Sequence, residues 1–102
     1  MDLIISDINK GLRAYRDTPD AILLDVRGHD EYIAGHIPGS LNIPLDTLDD
    51  IYDAVSDMNT PLFVYCRSGN RSVQAAVTLR EIGYDNAVSI SGISNYNGIV
   101  EK

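Results

Sequence analysis

The sequence predicts an α/β fold with a mostly parallel central sheet and helices on both faces. Short apolar runs alternate with segments of helical periodicity along the chain. Two of the runs, 21–26 and 62–65, are apolar almost throughout, which is typical of strands buried on both faces. The 102 residues contain no internal repeat, linker or low-complexity run, so we expect a single domain over residues 1–102.

Helix signals, turn residues and apolar runs predict each element in turn. Ser6 is a helix-capping residue type, and Gly83 is suited to ending a helix. The expected elements are a helix from Ser6 to about Asp17, a strand over 21–26, a helical turn over 30–34 ended by Gly35, a strand over 40–43, a helix over 44–57, a strand over 62–65, a helix up to Gly83 with Val73, Ala76, Val77, Leu79 and Ile82 at helical spacing, a strand over 86–90, and loop with a short helix thereafter.

The segment 44–57 has two faces when drawn as a helix. The apolar residues expected to point inward are Leu48, Ile51, Tyr52 and Val55, and the acidic residues of the other face are Asp46, Asp50, Asp53 and Asp57. Carboxylates in a row along a helix diverge, whereas a metal needs convergent ligands, so we interpret this row as a solvated face. Two histidines and one cysteine at their spacings also make a poor zinc signal, and we expect no metal and no cofactor.

Residues 66–72, Cys-Arg-Ser-Gly-Asn-Arg-Ser, here called the cysteine loop, join a predicted buried strand to a predicted helix. Cys66 is the only cysteine, which excludes an internal disulfide or resolving thiol. At the carboxyl end of its strand, Cys66 would face the first amides of the helix, which have no intrahelical partners and carry partial positive charge. Such an environment lowers a thiol pKa and makes the thiolate nucleophilic.

Other residues of the cysteine loop strengthen this interpretation over that of an ordinary buried cysteine. Gly69 lets the loop curl so that successive N–H groups point inward and form an anion-binding nest. Arg67 and Arg71 add two permanent positive charges and are our candidates for binding an anionic substrate. The remaining loop residues, Ser68, Asn70 and Ser72, would supply amides to the same cradle.

Composition narrows the classes of partner. The formal net charge is −7, from 8 basic and 15 acidic side chains, which argues against nucleic acid or an anionic membrane. The N-terminal sequence has no signal-peptide pattern, and no apolar stretch is long enough to span a bilayer. A single cysteine suits a reducing compartment, so we expect a cytoplasmic protein.

Three motifs stand together in this chain: Leu24-Asp-Val-Arg27 followed by Glu31-Tyr32; Gly35-His-Ile-Pro-Gly-Ser-Leu-Asn-Ile-Pro44; and the cysteine loop after its apolar strand. In this order and at these spacings they resemble the single-domain rhodanese (thiosulfate sulfurtransferase-like) family. The resemblance extends from about Ser6 to Tyr96. It implies the three-layer rhodanese-like fold, with helices on both faces of the sheet.

The resemblance also implies a mechanism. Cys66 would attack the sulfane sulfur of thiosulfate or a similar small anionic donor and become a persulfide, which the loop amides of 67–72 would hold. Cyanide or a thiol, and in some cases a protein, would then accept the sulfur. Asp25 and Arg27 match the family's Asp-Val-Arg and are expected to act as structural support, with Arg27 in an ion pair with a residue such as Glu31.

Two further segments bear on the resemblance. His36 belongs to a family segment that forms a structural turn, so we favour a structural role over general-base catalysis. The family commonly has Gly-Gly after the last strand and then Trp, where this chain has Ser91-Gly92 and Tyr96. This difference from the family pattern affects the expected packing of the C-terminal segment more than the expected chemistry of Cys66.

Two other functions remain open. Cysteine-dependent phosphatases and arsenate reductases also place a thiolate in an amide cradle before an arginine, but with five residues between the two. Here four residues separate Cys66 from Arg71, a smaller ring that favours a single sulfur atom. A persulfide carrier or redox-sensing interaction module would need the same loop as a turnover enzyme.

Overall fold

One parallel sheet in the order β2-β1-β3-β4 organises the structure. We describe residues 2–102 from a computed structural model. The strands are Ile22–Asp25 (β1), Leu41–Asn42 (β2), Leu62–Cys66 (β3) and Ala87–Gly92 (β4). All three strand pairings are parallel, which confirms the predicted α/β class.

Helices cover both faces of this sheet. They are the α-helices Ile8–Arg16 (α1), His29–Ala34 (α2), Ile51–Ala54 (α3) and Asn70–Glu81 (α4), with 3₁₀ segments at Leu45–Asp50 and Ile93–Asn95. Within residues 2–102, none of the helices combines the length and the apolar character that crossing a bilayer requires.

Strand β3 divides the apolar core into two clusters. Leu62, Val64 and Cys66 belong to the cluster beneath α3 and α4, whereas Phe63 and Tyr65 belong to the cluster beneath α1. Side chains of a strand alternate between the two faces of the sheet, and both faces are covered here, so every residue of this central strand is buried. The alternation places the Cys66 side chain on the α4 face, at the carboxyl end of the strand.

The start of α1 differs from the prediction. The capping residue is Asp7, whose Oδ1 accepts a hydrogen bond of 2.9 Å from the Asn9 amide, and Ser6 lies outside the helix. Asp and Ser are comparable capping residues, so sequence alone does not separate neighbouring candidates. The far end of α4 agrees with the prediction, because Gly83 follows its last turn with a φ of +112°.

The predicted single helix over 44–57 is wrong. The chain forms a 3₁₀ segment interrupted at Thr47, then only one α-helical turn, and Val55 is extended. Aspartate and threonine are weak helix formers, and the Tyr84 hydroxyl donates a 2.6 Å hydrogen bond to the Val55 carbonyl where the helix stops. Tyr52, expected to point inward, is 45% exposed. The four aspartates do not share one helix, because Asp46 and Asp50 lie in the 3₁₀ segment, Asp53 in α3 and Asp57 beyond it.

The buried face of α4 also differs in one position. Val77, expected at helical spacing on that face, is 41% exposed. The residues that meet the sheet are Ser72, Ala75, Ala76 and Leu79. Small side chains allow the helix to approach the strands closely, and this brings its first turn near Cys66.

Strand β4 contains a bulge beside the cysteine loop. Val64 is opposite Ser89, but Cys66 is opposite Gly92, so β4 has one extra residue over this interval. Ser91 lies in the irregular stretch with a φ of +81°, a conformation that favours glycine, which agrees with the glycine that the family commonly has here. A Cβ at Gly92 would lie 2.2 Å from the Arg67 carbonyl oxygen, so the bulge brings β4 backbone directly against the loop.

His36 has the contacts of a structural residue. Its ring stacks on Tyr32 with the centroids 3.7 Å apart, and its Nδ1 lies 2.8 Å from the Tyr32 carbonyl oxygen. Its backbone exchanges two hydrogen bonds with Glu101. These contacts join the turn after α2 to the C-terminal residues, in line with the structural role expected of this segment.

Candidate active site

The Cys66 sulfur accepts hydrogen bonds from the start of α4. The Gly69 amide lies 3.0 Å from Sγ and the Ser72 amide 3.3 Å from it. The residue is only 1% exposed, so these amides replace water around the sulfur. The arrangement solvates negative charge on Sγ with fixed dipoles.

Gly69 makes this geometry possible. It lies at the N-cap of α4 with a φ of +107°. Residues with a Cβ adopt this backbone angle only at a cost in conformational free energy. The turn at this residue reverses the chain after Cys66 and directs the following amides back toward the sulfur. This is the curled loop that the sequence led us to expect at Gly69.

Two opposing effects act on the pKa of the Cys66 thiol. Burial raises it, but the Ser72 hydroxyl and the amides of Ser72, Gly69 and Ser68 stabilise the thiolate, and the net result is a pKa below the usual value. A lowered pKa increases the thiolate fraction near neutral pH, and the thiolate is the nucleophilic form.

Ser72 is linked to a second buried hydroxyl that sequence reasoning missed. Its Oγ lies 3.5 Å from Cys66 Sγ and 2.8 Å from the Oγ of Ser89, and both serines are fully buried. Ser89 is on β4, on the same sheet face as Cys66. A serine on a buried strand carries no local signal of such a contact, and only the sheet order brings the two together.

We expect Ser72→Ala to raise the pKa of the Cys66 thiol and to slow its alkylation near neutral pH by about tenfold, because the thiolate loses a hydroxyl donor. The pH dependence of the alkylation rate measures this. Ser68→Ala is the matched control, since Ser68 is exposed and only its amide acts on Cys66. Equal thiol pKa values in the two variants would contradict the assigned role of the Ser72 hydroxyl.

Arg71 is already paired. Its Nη1 and Nη2 donate hydrogen bonds of 2.7 and 3.0 Å to the two carboxylate oxygens of Glu31 on α2. From the sequence we predict that Arg71 binds an anionic substrate and that Glu31 is a possible partner of Arg27. The structure instead pairs Glu31 with Arg71. The pairing lowers the pKa of Glu31 to about 2, mainly through the hydrogen bonds from Arg71.

The Glu31–Arg71 pair predicts a specific acid sensitivity. The pKa of Glu31 falls from 4.5 to about 2 on folding, so the pair's stabilisation is present above about pH 4.5 and is lost as pH falls toward 2. Both side chains are more than a third exposed, so we expect the pair to contribute about 1 kcal/mol or less to the free energy of unfolding. Denaturant unfolding of the parent and Glu31→Gln measures the contribution: the difference between them should shrink on acidification. A constant difference would contradict the prediction.

Arg27 is bound by Asp25 rather than by Glu31. Three hydrogen bonds of 2.7 to 3.1 Å join its guanidinium to the Asp25 carboxylate, and Nη2 also donates to the Gly35 carbonyl. Both residues are buried. The Asp25 carboxylate also accepts a hydrogen bond from the Arg27 backbone amide, and none from the cysteine loop. The pair therefore connects the end of β1 to the turn after α2.

The remaining loop side chains are exposed. Arg67, Ser68 and Asn70 point to solvent, and within residues 2–102 Arg67 has no carboxylate within ion-pair distance. Arg67 lines an open cleft of about 450 Å³ together with Arg27, Glu31 and Ser94. The loop amides and Arg67 thus lie at one edge of the sheet, whereas the Arg71 guanidinium forms an ion pair with Glu31.

A second cleft, of about 480 Å³, lies on the other side of the Glu31–Arg71 pair and is also lined by Gly28 and Asp46. An apolar cavity of about 520 Å³ lies elsewhere, near Pro61 and Asn86 at the amino ends of β3 and β4. Since sites of parallel sheets form at the carboxyl ends of strands, the clefts beside the cysteine loop are the candidates for substrate. Among the described residues, no group of three or more His, Cys, Asp or Glu is placed to hold a metal ion.

This chain is similar in sequence and in fold to known rhodanese-like proteins. The family description "Rhodanese-like domain" matches residues 9–97. Thiosulfate sulfurtransferase PspE of Escherichia coli strain K12 is 37% identical over 73 residues, which cover 71% of this chain and 70% of that protein. A solved structure described as a rhodanese with anions from E. coli superposes with a TM-score of 0.72 at 34% identity, covering 80% of this chain and 98% of that one.

Longer proteins also match this chain over part of their length. The tRNA uridine(34) hydroxylase of Erwinia tasmaniensis is 35% identical over 95 residues, which cover 88% of this chain. The chain spans only about a quarter, 26%, of the length of that protein. The family match extends over almost the whole chain and includes the sheet, α4 and the cysteine loop, which confirms the resemblance predicted from the three motifs. The chain therefore belongs to the rhodanese-like domain family.

Proposed function

We propose that this chain is a sulfurtransferase that carries a sulfane sulfur on Cys66, from thiosulfate or a persulfide to cyanide or a thiol. The observation that carries the proposal is the pair of amides, from Gly69 and Ser72, that lie 3.0 and 3.3 Å from Sγ. They stabilise a thiolate before the reaction and an anionic persulfide after it. Relatives that include a thiosulfate sulfurtransferase support the reaction class.

The reaction has two displacement steps. The Cys66 thiolate attacks the sulfane sulfur of thiosulfate, the Sγ–S bond forms, and the bond to the sulfonate sulfur breaks so that its electron pair leaves with sulfite. The persulfide anion that remains then gives its outer sulfur to cyanide, which leaves as thiocyanate, or to a thiolate, which becomes a persulfide. Cys66 returns to the thiolate in either case, and each step conserves charge and electrons.

The loop residues support these steps in different ways. In this proposal Cys66 is the nucleophile, the amides of 67–72 hold the sulfur, and Arg67 attracts the anionic end of the sulfur donor. Asp25 and Arg27 act as structural support. The assignment to one domain and to the cytoplasm stays a prediction from the sequence, as does a protein acceptor of sulfur.

Phosphoryl transfer has weaker support. A phosphatase needs its loop arginine to bind the phosphoryl oxygens, whereas both terminal nitrogens of Arg71 bind Glu31. Four residues between Cys66 and Arg71 also make a smaller ring than the phosphatase motif has. Aryl phosphate hydrolysis as fast as sulfur transfer would reverse this ranking.

Intact mass tests the proposal directly. After brief incubation with thiosulfate, the reduced protein should gain one sulfur atom, and cyanide should remove it with formation of thiocyanate. A protein with a reduced Cys66 that gains no sulfur from thiosulfate or from a low-molecular-weight persulfide would overturn the proposal. Fast loading with slow release to every small acceptor would favour a persulfide carrier over a turnover enzyme.

A further inference from the structure

The positive charge around Cys66 is smaller than the number of arginines suggests. Three guanidiniums lie beside the two clefts, those of Arg27, Arg67 and Arg71. Arg27 is neutralised by Asp25 and Arg71 by Glu31, with nitrogen–oxygen distances of 2.7 Å in each pair. Of these three arginines, Arg67 alone forms no ion pair within the described residues.

Glu31 occupies a position that an anionic substrate would otherwise use. It lines both clefts and binds Arg71 through both carboxylate oxygens, which is the geometry by which an arginine would hold a sulfonate or sulfate group. The Cys66 thiolate and Arg71 are close enough for their charges to interact. A carboxylate at this place both removes a binding fork and repels incoming negative charge.

The Glu31 carboxylate also has a second hydrogen-bond donor. Glu31 Oε1 accepts a 3.0 Å hydrogen bond from the backbone amide of Gly28, the N-cap residue of α2, as well as one from Arg71. A substrate anion that binds Arg71 would therefore have to replace a carboxylate that already accepts hydrogen bonds from Arg71 and Gly28. Asp46, exposed at the rim of the second cleft, adds a further negative charge.

We infer that Glu31 is a specificity-determining residue that disfavours doubly charged sulfur donors, so that the site prefers donors with one negative charge or none, such as thiol persulfides, over thiosulfate. This inference rests on the proposed sulfur transfer through Cys66. The amides of Gly69 and Ser72 still receive the transferred sulfur, since they do not depend on the charge of the rest of the donor. Glu31 acts on the approach of the donor and not on the displacement itself.

Two sulfur donors with the same reacting atom but different charge test the inference. Methanethiosulfonate has a methyl group in place of one oxyanion of thiosulfate, so it carries one negative charge rather than two. The Cys66 thiolate takes its sulfane sulfur, the S–S bond breaks, and methanesulfinate leaves with the electron pair. The product on the protein is the same persulfide that thiosulfate forms.

The measurement is the rate of persulfide formation, followed by intact mass, for the parent and Glu31→Gln with each sulfur donor. Glutamine keeps an oxygen for the Gly28 amide but removes the negative charge. We expect the rate with thiosulfate to rise about tenfold and the rate with methanethiosulfonate to rise about threefold or less, because a single charge acts more strongly on the dianion. Asp30→Asn, an exposed neighbour that changes the net charge equally, should alter either rate less than about twofold.

Glu31→Asp separates charge from packing. It keeps the negative charge, so the ratio of the two rates should stay close to that of the parent. Equal gains with both sulfur donors in Glu31→Gln, no gain, or a Glu31→Asp ratio like that of Glu31→Gln would overturn the inference. Failure of every variant to gain sulfur from either donor, and also from a low-molecular-weight persulfide, would instead overturn the proposed function.

Discussion

Replacing Cys66 by serine should abolish sulfur loading while the protein stays folded. Serine cannot form a persulfide, and its hydroxyl has too high a pKa to be a nucleophile at neutral pH, so we expect a loss of at least about 1,000-fold in sulfur transfer. The amides of Gly69 and Ser72 can still donate to the serine oxygen. Intact mass after incubation with thiosulfate, together with denaturant unfolding, measures both effects.

The free energy of unfolding of Cys66→Ser is the control for this experiment. The serine side chain is nearly isosteric with cysteine and finds hydrogen-bond donors in place, so the free energy of unfolding should change by about 1 kcal/mol or less. A Cys66→Ser protein that still gains cyanide-labile sulfur would place the nucleophile elsewhere. An unfolded variant would mean that the sulfur is needed for core packing.

Replacing Gly92 by alanine should damage both stability and activity. The new Cβ would lie 2.2 Å from the Arg67 carbonyl oxygen and 2.6 Å from the Ser68 Cα, both of them backbone atoms that cannot rotate away. The cysteine loop or β4 must therefore shift, which we expect to cost about 3 kcal/mol of unfolding free energy. A displacement of about 1 Å at the loop amides should also slow persulfide formation by about 100-fold.

Gly11→Ala is the matched control for that variant. A Cβ at Gly11 would lie 2.4 Å from the Ile90 Cβ, where α1 packs on the sheet face opposite to Cys66. We expect this variant to lose stability too, but to keep the loading rate and the thiol pKa of the parent under conditions where it is folded. A similar loss of rate in both variants would show that global stability, and not the loop position, determines the effect of Gly92→Ala.

The sequence was informative where a local pattern determines a local structure. The apolar run at 62–65 predicted β3, and the periodicity after Cys66 predicted α4 and its end at Gly83. The alternation of strands and helices predicted the parallel sheet. These features depend on neighbouring residues along the chain, which are visible in a sequence.

Predictions failed where the answer depends on competition between weak local preferences. Ser6 and Asp7 are both suitable helix caps, and the structure uses Asp7. The 44–57 segment has helical spacing, but its aspartates and Thr47 favour helix only weakly, and contacts such as that of Tyr84 with Val55 end the helix early. The cap is a local choice between neighbouring residues, whereas the early end of the helix coincides with a tertiary contact.

The amino-acid sequence by itself determined the fold class, the family and the position of Cys66 before a helix N-terminus, because each follows from local patterns and their order along the chain. Only the tertiary structure decided which distant side chains meet: Arg71 pairs with Glu31, 40 residues away. It also placed the Ser89 hydroxyl against Ser72. Such contacts depend on the strand order β2-β1-β3-β4 and on the approach of α2 to α4, which long-range packing sets and no local pattern encodes.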